Sequence, residues 1–350
     1  MVAHLMSADL DRRSSPTMPH SVANDVGDGT RSSNEPPPAR PAARWTFATT
    51  YPPTCTCLCT RRTNLIDLFS NPEHGCQAQI PNDANVLIRR IPTPLFGAGL
   101  IEAIPDAAIR AGEDPGDRNG DGVSGRAASL IDIASQRERV GRFGWKAQHA
   151  TLLAFAGDAY LFEMGITNDL FPDEVAAGIS AQKLAECDKV PGIEDQRDPI
   201  TGRRGIDNFA NFMRFLAPLD REMNGGTEAQ RGAQLFGDIG FAACHTPVMM
   251  TGPNGVQALD RKPVALYSNL LLHDIGTSDN IPQGAATGNE FRTAPLWGLR
   301  QRKMLLHDGR ALTPSQAIDQ HGREADRSRQ RFRTIPPQDR QALLAFLNTI

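Results

Sequence analysis

Glycine and proline break this chain at short intervals, with 31 of the one and 26 of the other among 350 residues. Glycine loses the most backbone entropy on entering a helix or strand, and proline offers no N–H to either, so the regular elements between them must be short and joined by many loops. No internal period appears, which sets a repeat array aside. From Ile91 onward, short apolar runs alternate with Gly, Pro and Asp, the texture of compact protein. The length suits two domains of ordinary size, or one domain with a long tail. No run approaches the roughly 18 apolar residues of a membrane span. The net charge is -3, with basic residues interleaved among Asp and Glu, which removes nucleic acid and anionic membrane as primary partners.

Residues 1–45 are rich in Ser, Pro, Asp and Arg and poor in large apolar side chains. They cannot bury enough surface to offset the entropy of ordering, so disorder is the expectation. The start of the chain also lacks the apolar core of a secretory signal. The stretch YPPTCTCLCTRRTNLIDLFSNPEHGC holds four of the six cysteines and shows neither a helical nor a strand period. Further on, GIDNFANFMRFLAPLD sets Ile206, Phe209, Met213 and Leu216 at helical spacing, and Pro218 stops that helix. MNGGTEAQ reads as a linker centred on Gly225 and Gly226, where a domain boundary is expected. Thr227 and Gln230 then form a capping box for a helix that carries Ala233, Phe236 and Ile239 and ends at Gly240. Thr313, Pro314 and Gln316 repeat the start signal for a helix through Ile318, ending near Gly322. The final PPQDRQALLAFLNTI puts Leu343, Phe346, Leu347 and Ile350 on one face of a terminal helix. Strand signals are few, so the fold is expected to be mainly α with long loops.

The stretch that carries chemistry is GFAACHTP, Gly240 to Pro247. A c-type haem is held by two cysteines that add across its vinyl groups, with the adjacent histidine on the iron; Cys-X-X-Cys-His is the compact spacing that allows all three bonds. Cys244 and His245 supply the second half of that pattern, and Phe241 stands where the first cysteine belongs. One thioether is the most this segment can form, while His245 remains a candidate proximal ligand. The plain alternative is an ordinary buried Cys beside a loop His.

The surroundings bear on that choice. GAQLFGDIGFAACHTP, LLLHDIG, FRTAPLWGL, LLHDGRALTPSQAIDQHGREA and the terminal LLAFL, together with LFGAGLIEAIPD, DRNGDGVSGR and GRFGWKAQHATL upstream, closely resemble the di-haem oxidoreductases, sometimes labelled thiol oxidoreductases. That family is related to bacterial di-haem cytochrome c peroxidases and MauG-type enzymes. The resemblance runs from about Ile91 to Ile350. It implies two cytochrome-c-like lobes with a haem on each, a periplasmic location, and a redox partner protein or a small oxidant such as peroxide. Residues 86–224 are then the remnant of the N-terminal lobe, 225–350 the C-terminal cytochrome-c-like domain, and 1–85 a disordered or non-family segment. This chain departs from the pattern twice, at Phe241 and in lacking a first Cys-X-X-Cys-His. A frameshift, a wrong start or gene decay is the expectation for roughly the first 85 residues.

Candidate distal ligands to the iron are His307 and Met304, with His273, Met249 and Met250 behind them; the alternative for His273 and His307, each followed by Asp, is a hydrogen-bonded structural role. Arg292 is a candidate partner for a haem propionate and Trp297 a candidate ring contact, against a surface ion pair and a core indole. By analogy with related enzymes, Trp145 is a candidate electron relay. Asp117, Asn119 and Asp121 alternate before Gly122 as at the start of a calcium loop, but Ala128 stands where that loop ends on Glu, so an Asx-turn loop is the favoured reading and calcium the alternative. Cys55, Cys57 and Cys59, with His74 and Cys76, have the wrong spacing for a zinc knuckle, and Cys187 stands alone. Two function classes follow, a haem-binding electron-transfer protein or oxidoreductase, and a haemless, degenerate family member acting at most as a structural or metal-binding scaffold; a zinc or calcium protein using the His-Asp pairs is a weaker third.

Overall fold

The computed structural model describes the backbone of Trp45–Thr50 and Arg62–Ile66, residues 76, 78–82 and 84, and residues 86–350 apart from 189, 223 and 224. Cys55, Cys57, Cys59 and His74, and nearly all of the segment expected to be disordered, lie outside the described residues.

Four small antiparallel sheets are present among the described residues. The first sets β1 (Trp45–Thr50) between β2 (Arg62–Ile66) and β3 (Val86–Arg90). The others pair β4 (Ala128–Asp132) with β5 (Arg137–Gly141), β6 (Met249–Met250) with β7 (Pro263–Val264), and β8 (Leu272–Asp274) with β9 (Glu290–Arg292). The α-helices are α1 (Ala98–Glu102), α2 (Asp106–Arg110), α3 (Leu152–Met164), α4 (Ala181–Cys187), α5 (Gly205–Phe215), α6 (Gly226–Asp238), α7 (Pro314–Gln320), α8 (Asp326–Thr334) and α9 (Pro337–Leu347). Helix exceeds strand, 33% against 13%, so helix-rich describes the fold better than mainly α. Strands of two to six residues are too short to show a period in sequence, which is why the sequence signals few of them.

The strongest periodic signals became helices where expected. In α5, Ile206, Ala210 and Met213 are buried, and the Asp195 carboxylate accepts from the first two N–H groups of the helix, Gly205 at 2.6 Å and Ile206 at 3.0 Å. Thr313 caps α7 by accepting from the Gln316 N–H at 3.2 Å. The start of α6 differs from expectation. It begins at Gly226 with Gly225 as its cap and no side-chain cap bond, so Thr227 lies inside the first turn and the two glycines open the helix. Gly225 sits so close to Ala229 and Thr349 that a Cβ there would meet them at 2.4 and 2.8 Å, which leaves no room for a capping side chain. Gly232 fixes the packing of α6 on α9, since a Cβ would come within 2.0 Å of the Ala342 carbonyl oxygen.

Two large hydrophobic clusters and two small ones lie among the described residues. One large cluster gathers Ile101, Ile104, Ile109, Leu152, Ile206 and Met213; the other gathers Phe236, Leu299, Phe332, Leu343 and Phe346. The segment 264–271 serves both, with Leu266, Leu270 and Leu271 in the first and Tyr267 in the second. Arg142, completely buried, is held by the Asp106 carboxylate at the start of α2, and Asp106 also accepts from the Val140 N–H at 3.0 Å and Arg139 Nε at 2.9 Å. Cys187 is not solitary: it forms a disulfide with Cys76 across 111 residues, which also withdraws Cys76 from the zinc-like grouping.

Candidate functional site

Helix α6 stops at Ile239, Gly240 turns the chain with φ 94°, and a single 3-10 turn, Phe241–Ala243, delivers Cys244 and His245. That pair is clamped along the segment 267–269. Asn269 N donates to the Cys244 carbonyl and Ser268 N to the Thr246 carbonyl, each at 2.9 Å. His245 Nδ1 lies 3.0 Å from the Tyr267 carbonyl oxygen. A carbonyl only accepts, so Nδ1 carries the proton and Nε2 keeps its lone pair. Burial first, and then the nearby His321, His273 and Arg302, push the His245 pKa down to about 4, although the Tyr267 bond works the other way. The imidazole is therefore neutral at pH 7, with one nitrogen oriented by the backbone and the other available to a metal.

Cys244 is a free, half-buried thiol with Sγ 3.8 Å from His273 Nδ1. His273 is engaged at both ring nitrogens. Nδ1 lies 2.8 Å from Glu324 Oε2, and Nε2 lies 3.0 Å from the Asn269 amide nitrogen, whose orientation is fixed because Asn269 Oδ1 accepts from Leu271 N. Phe241 turns into the second cluster, edge to face with Phe236 at 5.6 Å and 6.5 Å from Phe332.

Arg292 and Trp297 line a common cavity with Trp145, Arg302, Phe143 and Phe155. Arg292 is 6% exposed, so it is no surface ion pair. Its guanidinium donates to the Gly144 and Thr293 carbonyls, and Arg302 donates to the Pro295 and Trp297 carbonyls. Neither has a carboxylate partner among the described residues, whereas buried Arg90 has Asp279 and Arg142 has Asp106. Burial lowers the pKa of both to about 10, the two charges adding to the effect at Arg292, and both stay cationic at pH 7. Sequence reasoning missed Arg302, because nothing local marks one arginine of the Arg-Gln-Arg run 300–302 as a wall of this cavity.

His307 is 4% exposed. Its ring stacks on Phe291 at 4.1 Å and meets Trp145 edge-on at 6.4 Å. Lys146 Nζ lies 3.8 Å from the Phe291 centroid and 3.2 Å from Asp279, which also pairs with Arg90. Met304 packs its sulfur beside Gly309. Among the described residues, His245 and His307 share no hydrogen bond or ring contact. In the loop of Asp117, Asn119 and Asp121, the side-chain oxygens accept from Gly122 N, Asp121 N and Val123 N, an arrangement of Asx turns. No group of three or more His, Cys, Asp or Glu among the described residues is placed to hold a metal ion.

A family model described as "Di-haem oxidoreductase, putative peroxidase" matches residues 67–350, beginning upstream of Ile91. A search of curated proteins finds no match. A solved structure of hydrazine synthase from Kuenenia stuttgartiensis, pressurized with xenon, is 17% identical over 56% of this chain and 61% of that chain, with a TM-score of 0.31, a likeness too low to carry an argument. The family match covers most of the chain and includes the His245 segment, and the chain belongs to the di-haem oxidoreductase family.

Proposed function

We propose that this chain is a haem-binding electron-transfer protein or oxidoreductase of the peroxidase-like class, with the haem of its C-terminal cytochrome-c-like domain held by His245 and by a single thioether from Cys244. The observation that carries this reading is the His245 imidazole, neutral and oriented by the Tyr267 carbonyl so that Nε2 is left to a metal. Haem so held supplies one-electron redox chemistry. The protein's part is to fix the tautomer of His245, to shield the site with the second hydrophobic cluster, and to hold positive charge at Arg292 and Arg302. Those guanidiniums, lacking carboxylates of their own among the described residues, fit the acidic edge of such a cofactor, with Trp297 beside it. The partner is a redox protein or a small oxidant such as peroxide. The Cys76–Cys187 disulfide supports an oxidising compartment, as a periplasmic location requires.

A second reading, a haemless scaffold, is favoured by one observation: Phe241 is built into the aromatic cluster of Phe236 and Phe332 instead of leaving room for a second thioether. The full chain, exported behind a secretion signal alongside the c-type maturation machinery, decides between them. Haem that survives a denaturing gel and disappears in Cys244→Ala establishes the first reading. Protein with no haem stain and no Soret band establishes the second.

A further inference from the structure

A second cavity, of about 460 Å³, lies beside β3 and the loop of His307 to Arg310, and the haem reading makes no use of it. Its size is that of a small-molecule site. Leu87, Ile88 and Ser278 form part of the wall, and His307 contributes the one buried imidazole. The His307 ring stacks on Phe291 and meets Trp145 edge-on, and neither of its nitrogens has a hydrogen-bond partner among the described residues. Unpartnered nitrogens of a cavity-lining ring can take their hydrogen bonds from what enters that cavity in place of water.

The charge around it decides what enters. Arg89 and Arg310 stand in the wall, and behind the wall Arg90 and Lys146 both bind Asp279. Asp308 is paired with Arg310, while Arg89 makes no ion pair among the described residues. Four cations thus face two carboxylates, a field that repels a metal cation and attracts an anion.

We propose that this cavity binds a small organic oxyanion, a carboxylate or a phosphate ester, which pairs with Arg89 and Arg310 and takes a hydrogen bond from His307. The inference stands apart from the haem reading and assigns His307 to a ligand other than iron.

Titration calorimetry on the full chain, with succinate and inorganic phosphate as probes, tests it. Saturable binding that weakens by about tenfold or more in His307→Gln and in Arg310→Gln, with the melting temperature retained, is the expected result. Succinate alone identifies the group as a carboxylate, and phosphate alone as a phosphate ester. Where His307→Gln fails to fold, Arg89→Gln at an exposed strand position gives the answer: weakened binding supports the site and unchanged binding overturns it. No saturable heat from either probe overturns it, as does binding indifferent to all three substitutions. In haem-loaded protein, an absorption spectrum altered by His307→Gln makes His307 an iron ligand and also overturns it. Failure to load haem leaves the calorimetric result intact, so the two readings fail separately.

Discussion

Phe241 meets Phe236 edge to face, their ring centroids 5.6 Å apart, at the position where a haem-binding segment of this spacing carries its first cysteine. Aromatic packing thus occupies the place that such a segment gives to a covalent anchor. Phe241→Cys restores Cys-X-X-Cys-His, and in protein matured with haem the reduced pyridine haemochrome band should move to the two-thioether position. The haem-free variant should lose about 2 kcal/mol, because a half-buried ring leaves a partial cavity. Urea unfolding of both forms reads the difference.

Gly232→Ala should destabilise the chain by about 2 kcal/mol or more, since the added methyl meets the Ala342 carbonyl at 2.0 Å and backbone cannot rotate away as a side chain can. Ala substitution normally favours a helix, so a loss here isolates the contact between α6 and α9. Chemical denaturation of the variant checks it.

Asp106→Asn should cost about 3–5 kcal/mol, because it leaves the fully buried Arg142 guanidinium without its counter-charge. Asp106→Asn with Arg142→Met should recover part of that loss. The double-mutant cycle is the measurement.

Acidification should weaken the fold through His307, whose pKa burial pushes down from 6.5 to about 4 among Asp308, Asp279, Arg90 and Arg310. Above pH 6.5 neither folded nor unfolded chain protonates this ring, and its contribution is complete. As pH falls toward 4 the unfolded chain takes the proton first, so stability declines by up to about 3 kcal/mol from this group alone. His245 and His321 are shifted in the same direction. His307→Gln should flatten the decline measured by urea unfolding between pH 7 and 4.

What the sequence disclosed was local. Ile206 and Met213 marked α5, Thr313 and Gln316 marked the start of α7, and the turn at Gly240 before Cys244 and His245 was placed by glycine's tolerance of positive φ. What it concealed was mostly distant or short. The partner of Cys187 lies 111 residues away, and no spacing rule reaches that far. Arg302 differs from Arg300 only in what the fold wraps around it. Asn269, whose side chain fixes His273, has no sequence signature at all, because its role depends on meeting Ala243 and Leu271 at once.

Leu266 and Tyr267 are neighbours in the chain, yet one side chain enters the first hydrophobic cluster and the next enters the second. A single strip of backbone is therefore common property of both, and pulling it free from one strips the other. Amide exchange in the two clusters should then share one opening event, and a cut inside this strip should release both halves together rather than leave one standing. The same strip presents the Tyr267 carbonyl to His245, so the pose of the imidazole is insured by both clusters at once and should be lost only when they open.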